Sequence, residues 1–97
     1  MTSFDHPFNR QRRWAIKQAK MLEQEGQCFY CGQALAIYHA QDGERKADCA
    51  TIDHLIPKSE RPELRRVMSN VVLACAACNA AKGVKSAGQY MAEVRAR

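Results

Sequence analysis

Asp53 and His54 stand side by side in a β-branched and apolar run, Ala50-Thr51-Ile52-Asp53-His54-Leu55-Ile56, that stops at Pro57. One Cys-x-x-Cys pair, Cys28 and Cys31, precedes the run, and a second, Cys75 and Cys78, follows it. Two such pairs can supply four thiolates in a tetrahedron and so close the coordination sphere of one Zn2+ ion. A closed sphere leaves no place for water or substrate, so this zinc is expected to be structural, with Cys28, Cys31, Cys75 and Cys78 as its ligands. The same tether draws Asp53 and His54 towards Asn79, which directly follows the last cysteine. Such proximity is what a second, open metal site requires. Each residue also has a plainer reading. Cysteine pairs can be redox motifs or buried apolar residues, an Asp-His pair is usually an ordinary strand end, and a lone Asn70 or Asn79 is a turn residue or a cap. A redox motif would need only one pair, beside a βαβ pattern that is absent here. The joint order of all these residues argues against coincidence.

Taken together, CFYCG, TIDHLIP and NVVLACAACNAAKG resemble the HNH endonuclease family, in the branch that carries a four-cysteine zinc site. The resemblance implies an α+β fold, a small ββα-metal domain with flanking N- and C-terminal helices. It implies a metal-dependent endonuclease that nicks or cleaves DNA, with a single divalent ion, Mg2+ or another such as Mn2+, at the catalytic site. By that resemblance Asp53 is a carboxylate ligand, Asn79 gives an amide oxygen ligand, and His54 is the general base on water. The resemblance also implies that Asn70 bridges its loop by hydrogen bonds and so helps to orient His54. Lys82 either contacts phosphate or is structurally paired. The chain departs from the name-giving pattern in having Asn79 where a histidine would stand, which keeps an oxygen ligand for a hard metal. It also carries Lys58, Arg61, Arg65 and Arg66 between His54 and Asn70, where relatives often have a glycine-rich loop. Proteins of this kind occur in phages and bacteria.

The totals fit this picture. Ninety-seven residues make one small domain, near the size at which a metal or disulfide often supplements the core. The expected layout is a basic N-terminal helix in residues 1–26, a zinc-stabilised core in 27–83 and a C-terminal helix in 84–97. A net charge of +5 and a pI of about 9.1 favour polyanions, DNA first and an anionic membrane surface second. No apolar run approaches the roughly 18 residues of a membrane span, and the N-terminus lacks the apolar stretch of a signal peptide. The expectation is a cytoplasmic protein, in a bacterium or in the host of a phage. Five cysteines, four of them in pairs, suggest metal rather than disulfides. Cys49 is left over and reads as a small buried residue beside the Asp-His strand. The competing functions are a zinc-stabilised nucleic-acid-binding module without catalysis and, further off, a zinc-dependent protein-interaction domain. Recognition is expected to be weak or supplied by a protein partner.

Several elements must position these residues. Residues 8–25 hold neither glycine nor proline and predict a helix, with Phe8, Ala15, Ala19 and Leu22 on the face against the core. Arg10, Arg13, Lys17 and Lys20 fall on the opposite face, either as a solvated row or as contacts to a phosphate backbone. Residues 34–40 and 48–56 predict two strands of a hairpin, with Gln41 to Glu44 as the turn. Phe29 and Tyr30 are expected to pack against neighbouring structure. His6 and His39 match no motif position. A short helix is expected to open at Pro62, an extended piece covers 71–74, and a helix runs from Cys75 to Lys82 and closes at Gly83. A last helix begins near Ser86, with Gln89 completing a capping box, and buries Ala87, Tyr90, Met91 and Val94.

Overall fold

A computed structural model of the chain describes residues 8–37 and 46–97. Helix α1 (Arg10–Glu23) comes first, then strand β1 (Ala50–His54), strand β2 (Val71–Cys75), helix α2 (Ala76–Lys82) and helix α3 (Ala87–Arg95). Single 3₁₀ turns at Pro62–Leu64 and Met68–Asn70 lie between the strands. β1 and β2 pair antiparallel, with Ala50 opposite Cys75 and His54 opposite Val71. The strands and α2 form a ββα unit in an α+β domain. No helix among the described residues is long and apolar enough to cross a membrane.

Alternation along the strands sorts their side chains between two layers. Thr51 and Asp53 turn towards α2, where they meet Asn79 and Lys82. His54 turns the other way, with Val71 opposite it, towards Phe8 and Ile16. β2 is buried at all five positions. The larger core cluster joins Cys28, Tyr30, Leu35, Ala50, Leu73, Ala74, Cys75, Cys78 and Tyr90, so three of the four paired cysteines sit inside the apolar centre while Cys31 is exposed.

The strand partner of β1 differs from the expected hairpin. Of residues 34–40, Ala34 and Ala36 make only isolated bridges, to Gln27 and Cys49, and the segment beyond Ile37 with its turn lies outside the described residues. His6 and His39 lie outside them as well. β1 pairs instead with β2, because Val71-Val72-Leu73 is wholly apolar and must be buried, whereas the earlier segment carries less β-branched bulk.

Helix α1 is also rotated relative to expectation. Ile16 is its buried residue, while Ala15 and Ala19 are exposed and Leu22 is 83 % exposed. The inward stripe is Arg13, Ile16, Lys17, Lys20 and Gln24, so most of the basic row lies on the side of the sheet. Long stems let these side chains cover apolar surface while their heads reach polar partners. Lys20 donates to the Met68 carbonyl (3.2 Å) and Arg13 to the Phe8 carbonyl (2.9 Å). Gln24 decides the orientation. Its amide accepts from the Leu73 N–H (2.8 Å) and donates to the Leu73 carbonyl (3.0 Å), completing the outer edge of β2 as a further strand would.

The remaining elements form as the sequence indicates. Asn9 caps α1 by accepting from the Arg12 N–H, and the helix ends through Glu25 and Gly26, both at positive φ. Cys75 caps α2, and Gly83 leaves it at φ 58°. Ser86 and Gln89 form the capping box of α3, which buries Tyr90 and packs Ala87, Met91 and Val94 on the cysteine cluster. Cys49 is buried, its thiol on the Ala50 carbonyl.

Candidate functional site

The four paired cysteines converge. Their sulfurs all lie within 4.8 Å of one another, and the Cys31 and Cys75 sulfurs are 3.9 Å apart. A tetrahedron with bonds of about 2.3 Å to zinc has edges near 3.8 Å, so the cluster fits a structural zinc site. The backbone supports it. The Tyr30 and Cys75 N–H groups donate to the Cys28 sulfur, and the Cys78 N–H donates to the Cys75 sulfur. Burial works against a Cys28 thiolate, but N–H groups of Cys31, Cys75 and Tyr30 together bring its pKa below the ordinary thiol value. Burial dominates at Cys31 and Cys78, pushing the first up and the second up to about 12. The Tyr90 hydroxyl also contacts the Cys78 sulfur, so α3 reaches the metal ligands.

A cleft of about 750 Å³ opens between α1, β1 and α2. Asp53, His54 and Asn79 all line it, together with Thr51, Lys58, Ser59, Lys82 and, from α1, Arg13 and Lys17. Four cationic side chains therefore surround one carboxylate. That balance favours a polyanion.

Each central residue has defined partners. Asp53 is buried, and its two oxygens accept from the Tyr30 hydroxyl (2.5 Å) and the Lys82 ammonium (3.3 Å). Burial first, and then the adjoining carboxylate, push the Tyr30 pKa up, which keeps the phenol protonated as the donor. Lys82 is only 2 % exposed and donates as well to the His54 carbonyl (3.1 Å). Of the two roles the sequence left open for Lys82, its ammonium occupies the structural pairing.

His54 is stacked on Phe8, with ring planes within 6° and centroids 6.4 Å apart. Its Nε2 lies 2.8 Å from the Arg65 carbonyl. A carbonyl only accepts, so Nε2 carries the proton, and the neutral ring keeps its lone pair on Nδ1. Asn70 sets up this contact from behind. Its Oδ1 accepts from the Ile56 N–H, and its Nδ2 donates to the Ile56 and Leu64 carbonyls. The connector is thereby stapled beside Arg65.

The Asn79 amide is oriented by a chain of donors. Thr51 gives its hydroxyl proton to the Ala74 carbonyl (2.7 Å), so it must accept from Asn79, whose Nδ2 lies at 2.9 Å. The amide oxygen is thus turned away from Thr51. Asp53 keeps a second lone pair on each oxygen beyond the two bonds it makes. A carboxylate and an amide oxygen facing one cleft are a donor set that suits a hard divalent cation with water completing its shell. Removing Lys82 from its pair should be costly for the fold. Lys82→Met leaves a buried carboxylate short of its counter-charge and should destabilise by about 3 to 5 kcal/mol. Thermal denaturation should then show a fall of roughly 10 °C or more.

A family model described as HNH endonuclease matches residues 28–85, more than half of the chain, and spans both cysteine pairs, β1, β2 and α2. The chain belongs to the HNH endonuclease family. No curated protein sequence matches it. Within the HNH frame, His54, Asp53 and Asn79 sit on the ββα unit, Asn70 ends the 3₁₀ turn directly before β2, and Arg13 and Lys17 reach the cleft from α1. Arg10 is exposed, and Lys20 is held between Glu23 and the Met68 carbonyl instead of lining the cleft. Sequence reasoning missed Tyr30 as a partner of Asp53 and Thr51 as the anchor of Asn79. Thr51 carried a signal, since alternation puts it on the face of Asp53. Tyr30 carried none, because its contact spans the fold.

Proposed function

We propose that this protein is a metal-dependent HNH endonuclease that hydrolyses phosphodiester bonds of DNA, with His54 as the general base on water. The observation that carries this reading is the contact of His54 Nε2 with the Arg65 carbonyl, which assigns the tautomer of the ring. Its Nε2–H is committed to the Arg65 carbonyl, which leaves Nδ1 to accept a proton, and the ring borders a cleft that also holds Asp53 and Asn79. The imidazolium formed on proton transfer is stabilised where it arises, because the Arg65 carbonyl dipole strengthens its bond to a charged ring. Asp53 and Asn79 would hold Mg2+ or Mn2+. Such an ion, when bound, offsets charge on the scissile phosphate and the departing oxygen. Arg13, Lys17 and Lys58 on the cleft would receive the phosphate backbone. In a reducing compartment the four cysteines remain available to zinc.

Incubating supercoiled plasmid with the zinc-loaded protein and Mg2+ or Mn2+ tests this directly: nicked or linear product is expected, and none without added divalent ion. Binding without cleavage in any metal would favour the alternative, a zinc-stabilised nucleic-acid-binding module. The role of α1 has its own measurement. Changing Arg13 and Lys17 to Gln should flatten the slope of log affinity against log salt by about 0.9 per lost phosphate contact on duplex DNA. An unchanged slope would leave the two side chains as packing on the sheet.

A further inference from the structure

Tyr30 belongs to both centres at once. It lies between Cys28 and Cys31, its backbone N–H donates to the Cys28 sulfur (3.4 Å), and its hydroxyl donates to Asp53 Oδ2. The ring is buried and has little freedom. It meets Tyr90 edge-on at 5.2 Å between centroids, and Tyr90 in turn touches the Cys78 sulfur. On the other carboxylate oxygen, Lys82 supplies the opposing contact from the last turn of α2. Asp53 is therefore clamped between two elements that the cysteine cluster ties together: the first knuckle and the helix that starts at Cys75.

We infer that Tyr30 is a positioning residue for Asp53, through which closure of the zinc knuckle fixes the carboxylate in the orientation that the cleft requires. The inference rests on the reading of Asp53 as a cation ligand. A phenol donated to one oxygen sets the plane of the carboxylate and so the direction of its remaining lone pairs. Partners of this kind, one step removed from a metal, commonly change its affinity by about 10- to 100-fold. Zinc would then act on the cleft without touching substrate, and a chain without zinc would lose this alignment of Asp53.

The test is Mn2+ binding to the zinc-loaded full chain without DNA, followed by electron paramagnetic resonance of the free ion. Tyr30→Phe removes one oxygen and keeps the ring contacts. It should weaken Mn2+ binding by about 10- to 100-fold, with zinc content and DNA affinity unchanged. In the Asp53→Ala background the same substitution should have no further effect, because the two residues act as one unit. Equal Mn2+ affinity of Tyr30→Phe and wild type, with wild type cleaving plasmid, would overturn the positioning role and leave the nuclease reading intact. Loss of zinc from Tyr30→Phe would also overturn it, since the hydroxyl would then be holding the knuckle itself. Wild-type protein that neither binds Mn2+ nor cleaves would end both readings.

Discussion

Stripping zinc from the folded protein should unfold its centre, and Cys78→Ser should give a chain that does not hold the fold. Circular dichroism and zinc stoichiometry measure both. The expected size follows from comparing two magnitudes. Structural zinc in small modules contributes an apparent 10 to 16 kcal/mol, about as much as the ~5 to 15 kcal/mol that a whole domain retains. Cys28, Cys75 and Cys78 sit in the main apolar cluster with Leu73, Ala74 and Tyr90, so their release also opens the packing of β2 and α3. A folded and active Cys78→Ser protein would remove the structural-zinc reading.

The pH dependence of zinc retention has a definite sign. Thiols must lose their protons to bind, so binding releases protons and affinity rises with pH. In the folded arrangement of the four cysteines, Cys28 is held below the ordinary thiol value by backbone N–H groups that outweigh its burial. Cys31 is raised by burial, and Cys78 is raised to about 12 by the same cause. Of these three thiols Cys28 thus gives up its proton most readily, and the ion must displace the more strongly held protons of Cys31 and Cys78. Acidification should release zinc and unfold the chain together, in one transition by both measurements.

Local chemistry made much of this fold legible. Cys-x-x-Cys spacing names the metal cluster, Ser86 and Gln89 mark the start of α3, and Gly83 marks the end of α2, because each depends on neighbours within one helical turn. Long-range choices were not legible. Residues 34–40 and 48–56 read as a hairpin because they are adjacent and separated by turn residues, yet β1 pairs with β2 across the whole connector. Helix α1 hid its inward face, since that face has only Ile16 and, at its margin, Met21 as apolar residues among Arg13, Lys17, Lys20 and Gln24. A periodicity argument weights alanines and Leu22 above the Gln24 amide that docks the helix on Leu73. At the site, motif order pointed to Asp53, His54, Asn70 and Asn79, and they do border or support one cleft. The sequence could not reveal that Tyr30 and Lys82 occupy the two oxygens of Asp53, because a hydrogen bond between residues far apart leaves no local pattern.

His54→Ala should lose about 10²- to 10⁴-fold in cleavage rate, the range that a positioned general base commonly contributes. Fold, zinc content and DNA affinity should stay near wild type. The imidazole lies at the end of β1, stacked on Phe8, and its loss removes contacts at the rim of the smaller core cluster, not at the cysteines. The lone pair on Nδ1 is what would take the proton from water, and the Nε2–H bond to Arg65 holds the ring in place for it. Asp53→Ala separates the two roles. Losing a carboxylate ligand weakens the hold on the divalent ion, so its defect should shrink as Mg2+ or Mn2+ is raised, within the limit set by the buried Lys82 left unpaired. The His54→Ala defect should not shrink, since more metal does not supply a proton acceptor. A metal titration of both variants, with melting temperatures alongside, distinguishes these outcomes. Wild-type cleavage by His54→Ala at matched metal and pH would place the base elsewhere in the cleft and withdraw the meaning given to the Arg65 contact.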